Sequence, residues 1–418
     1  MENNSNIIIK GLLVILAFLT VSCDHNMDTL PINVIQLANS VGNYNVLNIS
    51  EFTTEIKYIP LETNDSVLLS RVMQIICDNE KILIESSRSC WLFDNTGKFC
   101  HKIGHEGQGP NDYLVINKIF LNENEIFLED RNKILIYDTN GNLVEKINWG
   151  SNEMPTEYSG YNYRNILPFK KNTYVMNFAL YDSGNYPQAI LFEKQESGLK
   201  IIKEYPNSVK LDKLREGYYF HELGVMYRYK DEMRVHKMIN DTVFSIDQNA
   251  EMKDVFVFDF GKYRTTRAYY EKKEGVDDRY NYSKKFISVN TFCESVNHLF
   301  ITFDFGNHAP EPIEFVNRQG NQSFNPTVHG VFDKRTGELT LMRQPIRGKL
   351  GLKNDIDNGP VIWPQYISSN KELVTNVSAE DFLEYYKNTS NPSPQMTEVA
   401  KNLKYDDNPI VIIAKLKE

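Results

Sequence analysis

This chain of 418 residues lacks the short motifs that mark common catalytic and metal sites. It has only five cysteines, no CxxC pair and no cysteine-histidine spacing typical of zinc. It also has no G-x-S-x-G motif, which argues against a nucleophile-elbow hydrolase. We therefore predict no cofactor, although a metal site assembled from separate elements would leave no mark in the spacing.

Basic residues do not outnumber acidic ones in this chain. The chain has 46 Lys and Arg against 55 Asp and Glu, which gives a net charge of −9. This acidic balance disfavours nucleic acid as a partner, and it disfavours binding to anionic lipid through basic side chains. Aromatic residues are abundant instead, with 24 Tyr and 23 Phe, and helical periodicity is rare, so we expect an all-β fold.

The N-terminus is typical of an export signal rather than of a folded element. After Lys10, the apolar or small run over 11–21 is too short to span a bilayer but fits the core of a signal peptide. Thr20-Val21-Ser22-Cys23 then resembles a lipobox, which implies that lipid is attached to the sulfur of Cys23. The alternative is a plain secretory signal with an incidental cysteine.

These features predict three segments along the chain. Residues 1–22 form a lipoprotein signal peptide, 23–45 a lipidated N-terminus and tether, and 46–418 the folded domain. We expect the protein to lie in the cell envelope, anchored to the outer membrane on its periplasmic or surface face. The membrane would then be contacted through the lipid on Cys23.

Four cysteines follow Cys23 in a compartment where disulfides can form. Cys90 and Cys100 lie on either side of a turn, so a bridge between the two strands is one interpretation. The other is that the cysteines are buried as small apolar side chains.

A repeated hairpin pattern organises the rest of the chain. An alternating strand, an aromatic-acid pair, a glycine-containing turn and a second strand recur, clearly in 90–104 and 134–148 and more weakly in 190–205, 242–258 and 330–344. The acidic residues are Asp94, Asp138, Glu193, Asp247 and Asp333. Their separations of 44, 55, 54 and 86 residues fit four-stranded propeller blades, the last with an insertion.

The two ends of the folded domain complement each other. The strand at 54–61 has no strand before it, and the strand at 410–416 has no hairpin partner after it. Pairing them would complete a sixth blade and close the ring, which removes exposed sheet edges. We also expect a short helical excursion within this last blade, in 378–403.

One segment carries a resemblance to a known family. GHEGQGPNDY (104–113), the aromatic-Asp turns and the lipoprotein start resemble the six-bladed β-propeller lipoproteins related to NHL-repeat proteins. In that family a glycine-rich stretch joins the first two blades, and it falls here on Gly104, Gly107, Gly109, Pro110 and Tyr113. Asn111-Asp112 stand where the family often has Gly-Glu. The resemblance implies the fold and no particular activity.

Taken alone, the same glycines suggest a phosphate loop. That interpretation needs a helix N-terminus and a GK[ST] motif, whereas strands flank this segment on both sides. We expect the glycines to permit positive φ in a tight crossing between blades.

Long connections between blades form the predicted functional surface. In a propeller, each connection from an outer strand to the next inner strand returns to one face, and here these span about 149–163, 206–220, 261–285 and 345–362. The candidate binding residues in and beside them are Tyr161, Tyr163, Arg164, Tyr219, His221, Arg264, Arg267 and Trp363. Aromatic rings beside arginines suit sugars or a protein partner, although such aromatics also commonly pack between blades.

The sequence leaves three candidate functions. The first is a non-enzymatic binding or scaffold module for a glycan, peptide or partner protein, which the lack of a catalytic motif favours. The second is a polysaccharide-active lyase or hydrolase with a site at the mouth of the central channel. The third is a structural subunit of an outer-membrane assembly.

Overall fold

Strand pairing groups the chain into six four-stranded blades arranged in a ring, as predicted. The structure is a computed structural model. It describes residues 33–131, 133–148, 163–178, 187–196, 198–207, 209, 224–237, 239–266, 284–317 and 319–417.

The elements follow one another in a regular order. The N-terminal segment comprises β1 (Asn33–Ile35), α1 (Leu37–Ser40), β2 (Tyr44–Asn45) and β3 (Thr53–Pro60). Blade 1 comprises β4 (Val72–Asp78), β5 (Lys81–Ser86), β6 (Ser89–Asp94) and β7 (Phe99–Ile103). Blade 2 comprises β8 (Lys118–Asn122), β9 (Glu125–Glu129), β10 (Lys133–Asp138) and β11 (Leu143–Asn148). Blade 3 comprises β12 (Tyr163–Lys170), β13 (Thr173–Phe178), β14 (Ala189–Gln195) and β15 (Gly198–Tyr205).

The second half continues the series with two insertions. Blade 4 comprises β16 (Val225–Tyr229), β17 (Glu232–His236), β18 (Thr242–Ile246) and β19 (Met252–Phe258). Blade 5 begins with β20 (Ser288–Glu294) and β21 (His298–Asp304), carries an extra hairpin of β22 (Ile313–Val316) and β23 (Gln322–Asn325), and ends with β24 (Thr327–Asp333) and β25 (Glu338–Met342). Blade 6 comprises β26 (Tyr366–Ile367), β27 (Glu372–Val377), then helices α2 (Ala379–Asn388) and α3 (Pro394–Asn402), and β28 (Ile410–Leu416).

The ring is closed by the two ends of the domain. The strand order of blade 6 is β26-β27-β28-β3, so the N-terminal strand β3 forms its outer edge. The pairing of β28 with β3 is antiparallel and runs from Ile410 opposite Pro60 to Leu416 opposite Thr53. The predicted closure is confirmed.

The residues before β3 extend two further blades. Strand β1 pairs in parallel with β19 on the outer edge of blade 4, and β2 pairs in parallel with β25 on the outer edge of blade 5. Both strands lie within 23–45, so the second half of the segment assigned to a tether is part of the folded structure. These short strands cover edges that would otherwise be open to pairing with another chain.

The apolar core lies between blades rather than within one layer. Each of six buried clusters joins residues from two successive blades. Along β9, Phe127 packs toward blade 3 and its neighbour Leu128 toward blade 1, since successive side chains point to opposite faces. Strands covered on both faces read as apolar runs, which explains sequences such as Glu125–Glu129.

The acidic residue of the repeat begins the turn between the third and fourth strands of a blade. The side chain of Asp94 accepts hydrogen bonds from the amides of Thr96 (2.9 Å) and Lys98 (3.1 Å), and Asp138 and Asp247 do the same in blades 2 and 4. This is the Asx-turn that explains the recurrence. The assignment of Glu193 to a turn was wrong, because that residue lies inside β14.

The structure decides between a disulfide and free thiols for the described cysteines. Cys77, Cys90, Cys100 and Cys293 are free thiols. Cys90 is opposite Ile103 rather than Cys100 in the β6-β7 pair, so the proposed bridge is wrong. A β-bulge between Leu92 and Phe93 shifts this register, which could not be read from the sequence.

Candidate functional site

The two faces of the ring have different connections. Inner strands β4, β8, β12, β16, β20 and β26 are the first strands of their blades, and most neighbouring ones contact each other around the axis. One face, here named the crossing face, carries the connections between blades and the turns between second and third strands. The opposite face carries the tight hairpin turns and is named the hairpin face.

The structure describes four of the eight predicted binding residues. Arg264 and Trp363 are described in full, and Tyr163 and Arg164 form the first two positions of β12, at the crossing face. The remaining ones, Tyr161, Tyr219, His221 and Arg267, lie outside the described residues, as does Cys23.

Arg264 forms an ion pair at the crossing face of blade 4. Its Nε lies 2.7 Å from Oδ2 of Asp241, which sits in the turn between β17 and β18. The two side chains border a small cleft between blades 4 and 5, with His236, Phe260, Thr265 and Ser288 among its lining. More than half of the Arg264 side chain, 55%, is exposed, so the guanidinium is available to a ligand.

His236 forms the floor of this cleft. It is 2% exposed and packs edge-on against Phe292 and Phe258, with ring centroids 5.5 and 6.0 Å away. Burial lowers the pKa of His236 to about 4, so the imidazole is neutral at physiological pH. The cleft therefore has a neutral aromatic floor and a charged rim.

An aromatic pair adjoins this rim. The ring of Tyr263 meets that of His308 edge-on, with centroids 4.8 Å apart, and the ammonium of Lys262 lies over Tyr263. His308 Nε2 is 3.0 Å from the carbonyl oxygen of Lys285. Aromatic faces beside charged groups are the combination predicted for this surface.

Trp363 is held by protein contacts. Its ring stacks on His329, with centroids 3.9 Å apart and planes 8° from parallel, and its Nε1 donates to Oγ1 of Thr302 at 3.0 Å. Burial lowers the pKa of His329 to about 3, so the stacked imidazole is neutral. A ligand at Trp363 would have to use the opposite face of the indole.

The glycine-rich stretch folds around two of its own side chains. Gly104 has φ +67°, and a Cβ there would lie 2.6 Å from the hydroxyl of Tyr137, so only glycine fits. Gly107 and Gly109 do not have positive φ. A Cβ at either would instead collide with the carboxylate of Asp112, which accepts a hydrogen bond from the amide of Gly109 at 2.9 Å.

Our explanation of the glycines is thus confirmed for Gly104 and wrong for the other two. Tyr113 at the end of the stretch is fully buried between blades 1 and 2, and the carbonyl of Pro110 accepts from Lys146 at 3.2 Å. The stretch is a structural joint between these blades.

A charged pair that the sequence analysis missed lies at the inner strands. Lys118 and Glu129 are directly opposite each other in the β8-β9 pair. Glu129 is 3% exposed, and burial raises its pKa to about 8. Burial also lowers the pKa of Lys118. The tight turn after Asn122 brings these two residues opposite each other. The signal in the sequence was a lysine and a glutamate at the outer ends of two consecutive apolar strands.

A second buried cluster lies near the hairpin face between blades 4 and 5. Glu294 accepts hydrogen bonds from Nε of Arg234 (3.1 Å), the hydroxyl of Tyr227 (2.8 Å) and Nζ of Lys334 (2.7 Å). Arg234 also pairs with Glu232 and Ser245. Charges and donors are matched, which is the arrangement of a structural ion-pair network.

Metal-ligating side chains do not cluster in the part of the chain that the structure describes. Within the described residues, no three His, Cys, Asp or Glu side chains are placed to hold one metal ion together. The same part of the chain contains no helix long and apolar enough to cross a membrane.

The family follows from comparison with known sequences. A family model described as "Domain of unknown function (DUF4934)" matches residues 32–415. The chain belongs to this family. No curated protein matches it.

Solved structures resemble this DUF4934 chain in fold. A Bacteroides fragilis NCTC 9343 protein whose name suggests export is 16% identical, with 93% of this chain and 100% of that chain covered and a TM-score of 0.64. A DUF4221 family member from Bacteroides vulgatus ATCC 8482 is 12% identical, covers 90% and 99%, and has a TM-score of 0.49.

A third similar structure is that of a catalytically inactive variant of a virginiamycin B lyase from Staphylococcus aureus. It is 10% identical, with 86% of this chain and 99% of that chain covered, and has a TM-score of 0.40. The likeness to the Bacteroides fragilis protein concerns the fold alone. The NHL-like and lipoprotein assignments stay predictions.

Proposed function

We propose that this protein is a lipid-anchored envelope module that binds a glycan, peptide or partner protein on its crossing face. The observation that carries the proposal is the exposed Arg264-Asp241 ion pair at the rim of the cleft floored by His236. A guanidinium beside aromatic rings recognises sugar hydroxyls and carboxylates through paired hydrogen bonds and ring stacking.

The anchor rests on the sequence around Cys23, which follows the apolar run over 11–21 and resembles a lipobox. The name of the Bacteroides fragilis neighbour is in keeping with export.

Mass spectrometry of the purified protein tests the anchor. The expected N-terminal peptide begins at lipidated Cys23, and Cys23→Ala abolishes the modification whereas Cys100→Ala leaves it unchanged. An unlipidated N-terminus in the wild type would contradict this part of the proposal.

Binding is tested on the mature domain with a matched pair of variants. Arg264 and Arg335 both form ion pairs with an aspartate at 2.7 Å and are 55% and 60% exposed, but Arg335 lies at the hairpin face. On an array of oligosaccharides and peptides, Arg264→Ala should weaken the strongest interaction about tenfold or more, a loss of about 1.4 kcal/mol. Arg335→Ala should leave it unchanged.

Three outcomes would overturn the binding proposal. Equal effects of the two variants would remove the crossing face as the binding surface. Turnover of any array oligosaccharide would identify the lyase or hydrolase that the sequence analysis kept as its alternative. Stable co-purification with an outer-membrane assembly, without binding on the array, would identify the structural subunit.

A further inference from the structure

Lys118 and Glu129 share one face of blade 2. They are opposite each other in an antiparallel pair, and side chains in such positions lie on the same side of the sheet with Cβ atoms about 4.5–5.5 Å apart. Phe120 and Phe127, which have the same orientation, pack toward blade 3. Lys118 is the first residue of the inner strand, so the pair lies at the crossing-face end of the axis.

Lys118 lies on β8, an inner strand next to the axis. Burial raises the pKa of the Cys293 thiol on β20, the inner strand of blade 5, and the nearby Lys118 ammonium offsets part of that rise. Blades 2 and 5 are opposite each other in a ring of six, so an interaction between their inner strands crosses the centre. The side chains of Lys118 and Cys293 are each partly exposed, so solvent reaches both of them.

Neither charged group is satisfied by the protein around it. The Oε1 atom of Glu129 is buried and has no hydrogen-bond partner among the described residues, and Oε2 accepts only a long bond of 3.4 Å from the amide of Ile166. Lys118 makes no hydrogen bond or direct ion pair with any described residue, Glu129 included. Buried polar atoms almost always have partners, so this site lacks one.

We propose that the crossing-face end of the axis binds a small carboxylate between Lys118 and Glu129. An ammonium and a protonated carboxyl group supply two donors, one for each oxygen of the ligand. A monoanion balances the single charge of Lys118, whereas a divalent anion would leave an uncompensated charge in a desolvated site. This site is distinct from the cleft at Arg264 and does not depend on it.

Protonation of Glu129 gives the site a pH dependence. With a pKa of about 8, Glu129 is mostly protonated at pH 7 and mostly ionised at pH 9. Ionisation removes a donor and places a negative charge beside the ligand. Among the described residues, Cys293 is the titratable group that faces the Lys118-Glu129 pair, and loss of the Lys118 proton acts in the same direction.

Calorimetric titration with sodium acetate tests the site on the mature domain. Acetate should bind saturably at pH 7 and about tenfold more weakly at pH 9, following the protonated fraction of Glu129. Glu129→Gln, which keeps a donor, should still bind at pH 7 and lose most of the pH dependence. Lys118→Gln should abolish binding, and Lys57→Gln, an exposed lysine on β3, should change nothing.

The source of the carboxylate is distinguished by parallel titrations. Tighter binding of galacturonate than of acetate points to an acidic sugar, tighter binding of N-acetylglycine points to a peptide C-terminus, and equal binding points to a free small acid. Absence of saturable binding of all three to the wild type, or unchanged acetate affinity in folded Lys118→Gln, overturns the proposal. If Lys118→Gln does not fold, an acetate affinity of the wild type that is equal at pH 7 and pH 9 overturns it.

Discussion

Glu294 and Glu129 are both buried carboxyl groups at the last position of a strand, and they differ in what surrounds them. Glu294 is 6% exposed and accepts three hydrogen bonds from Arg234, Tyr227 and Lys334. Glu129 is 3% exposed and accepts one long bond from a backbone amide. Burial is equal, so the partners make the difference.

The hydrogen-bond donors around a buried carboxyl group distinguish a structural charge from a functional one. A buried carboxylate with a complete set of donors holds neighbouring blades together, because its desolvation is offset by charge-assisted bonds. A buried carboxyl without them is unfavourable in the ionised form, which is why its pKa rises. At Glu129, the proposed carboxylate ligand would supply the missing partner.

The largest loss of stability is expected from a substitution in the Glu294 cluster, in which every charge has a partner. Glu294→Gln removes the negative charge shared by Arg234 and Lys334, which leaves Lys334 without a carboxylate partner and Arg234 with Glu232 alone. The free energy of unfolding should fall by about 3 kcal/mol, measured by urea denaturation at pH 7. A loss below about 1 kcal/mol would mean that the two carboxyl groups are equivalent and would break the comparison.

The intermediate effect concerns Glu129 and depends on pH. Its folded pKa of about 8 lies above the ordinary value of 4.5, so the native state holds the proton more tightly. The stability from this group is complete below about pH 4.5 and is lost as the pH rises to 8. Glu129→Gln should therefore stabilise the protein at pH 9, on the order of 1–3 kcal/mol, and have little effect at pH 4.5.

Urea denaturation of both proteins at the two pH values measures this difference, with Glu125→Gln at the exposed start of the same strand as control. Glu129→Gln destabilising the protein equally at both values would show that Glu129 is an ionised structural partner.

The smallest loss of stability is expected from removing the neutral donor of the Glu294 cluster. Tyr227→Phe removes one of three donors to Glu294 and leaves its two cationic partners in place. The expected loss is about 1 kcal/mol in the free energy of unfolding, by the same denaturation experiment. A loss as large as that of Glu294→Gln would show that the hydroxyl, rather than the charges, holds the cluster.

Much of the propeller could be predicted because its signals are local. The Asx turns at Asp94 and Asp138 recur at blade spacing, and the unpaired strands at both ends predict the closure by β3. Strands β1 and β2 could not be predicted, since three and two residues carry no alternation. Their pairing depends on the edges of blades that follow more than two hundred residues later.

The site was predicted less well for a physical reason. Loop length and residue type identified Arg264, but the partners that decide its role, Asp241 and His236, come from other turns of the blade. Trp363 was chosen by type alone, and its stacking on His329 depends on packing between blades. Glu129 was missed because an apolar strand ending in an acidic residue normally places that residue in solvent.

The most direct test of the account is a carboxyl carbon NMR titration of Glu129 in the mature domain, assigned with Glu129→Gln. We expect a midpoint near pH 8, raised by burial, and a shift of that midpoint to higher pH when acetate is added. A midpoint near 4.5 that acetate does not move would contradict it.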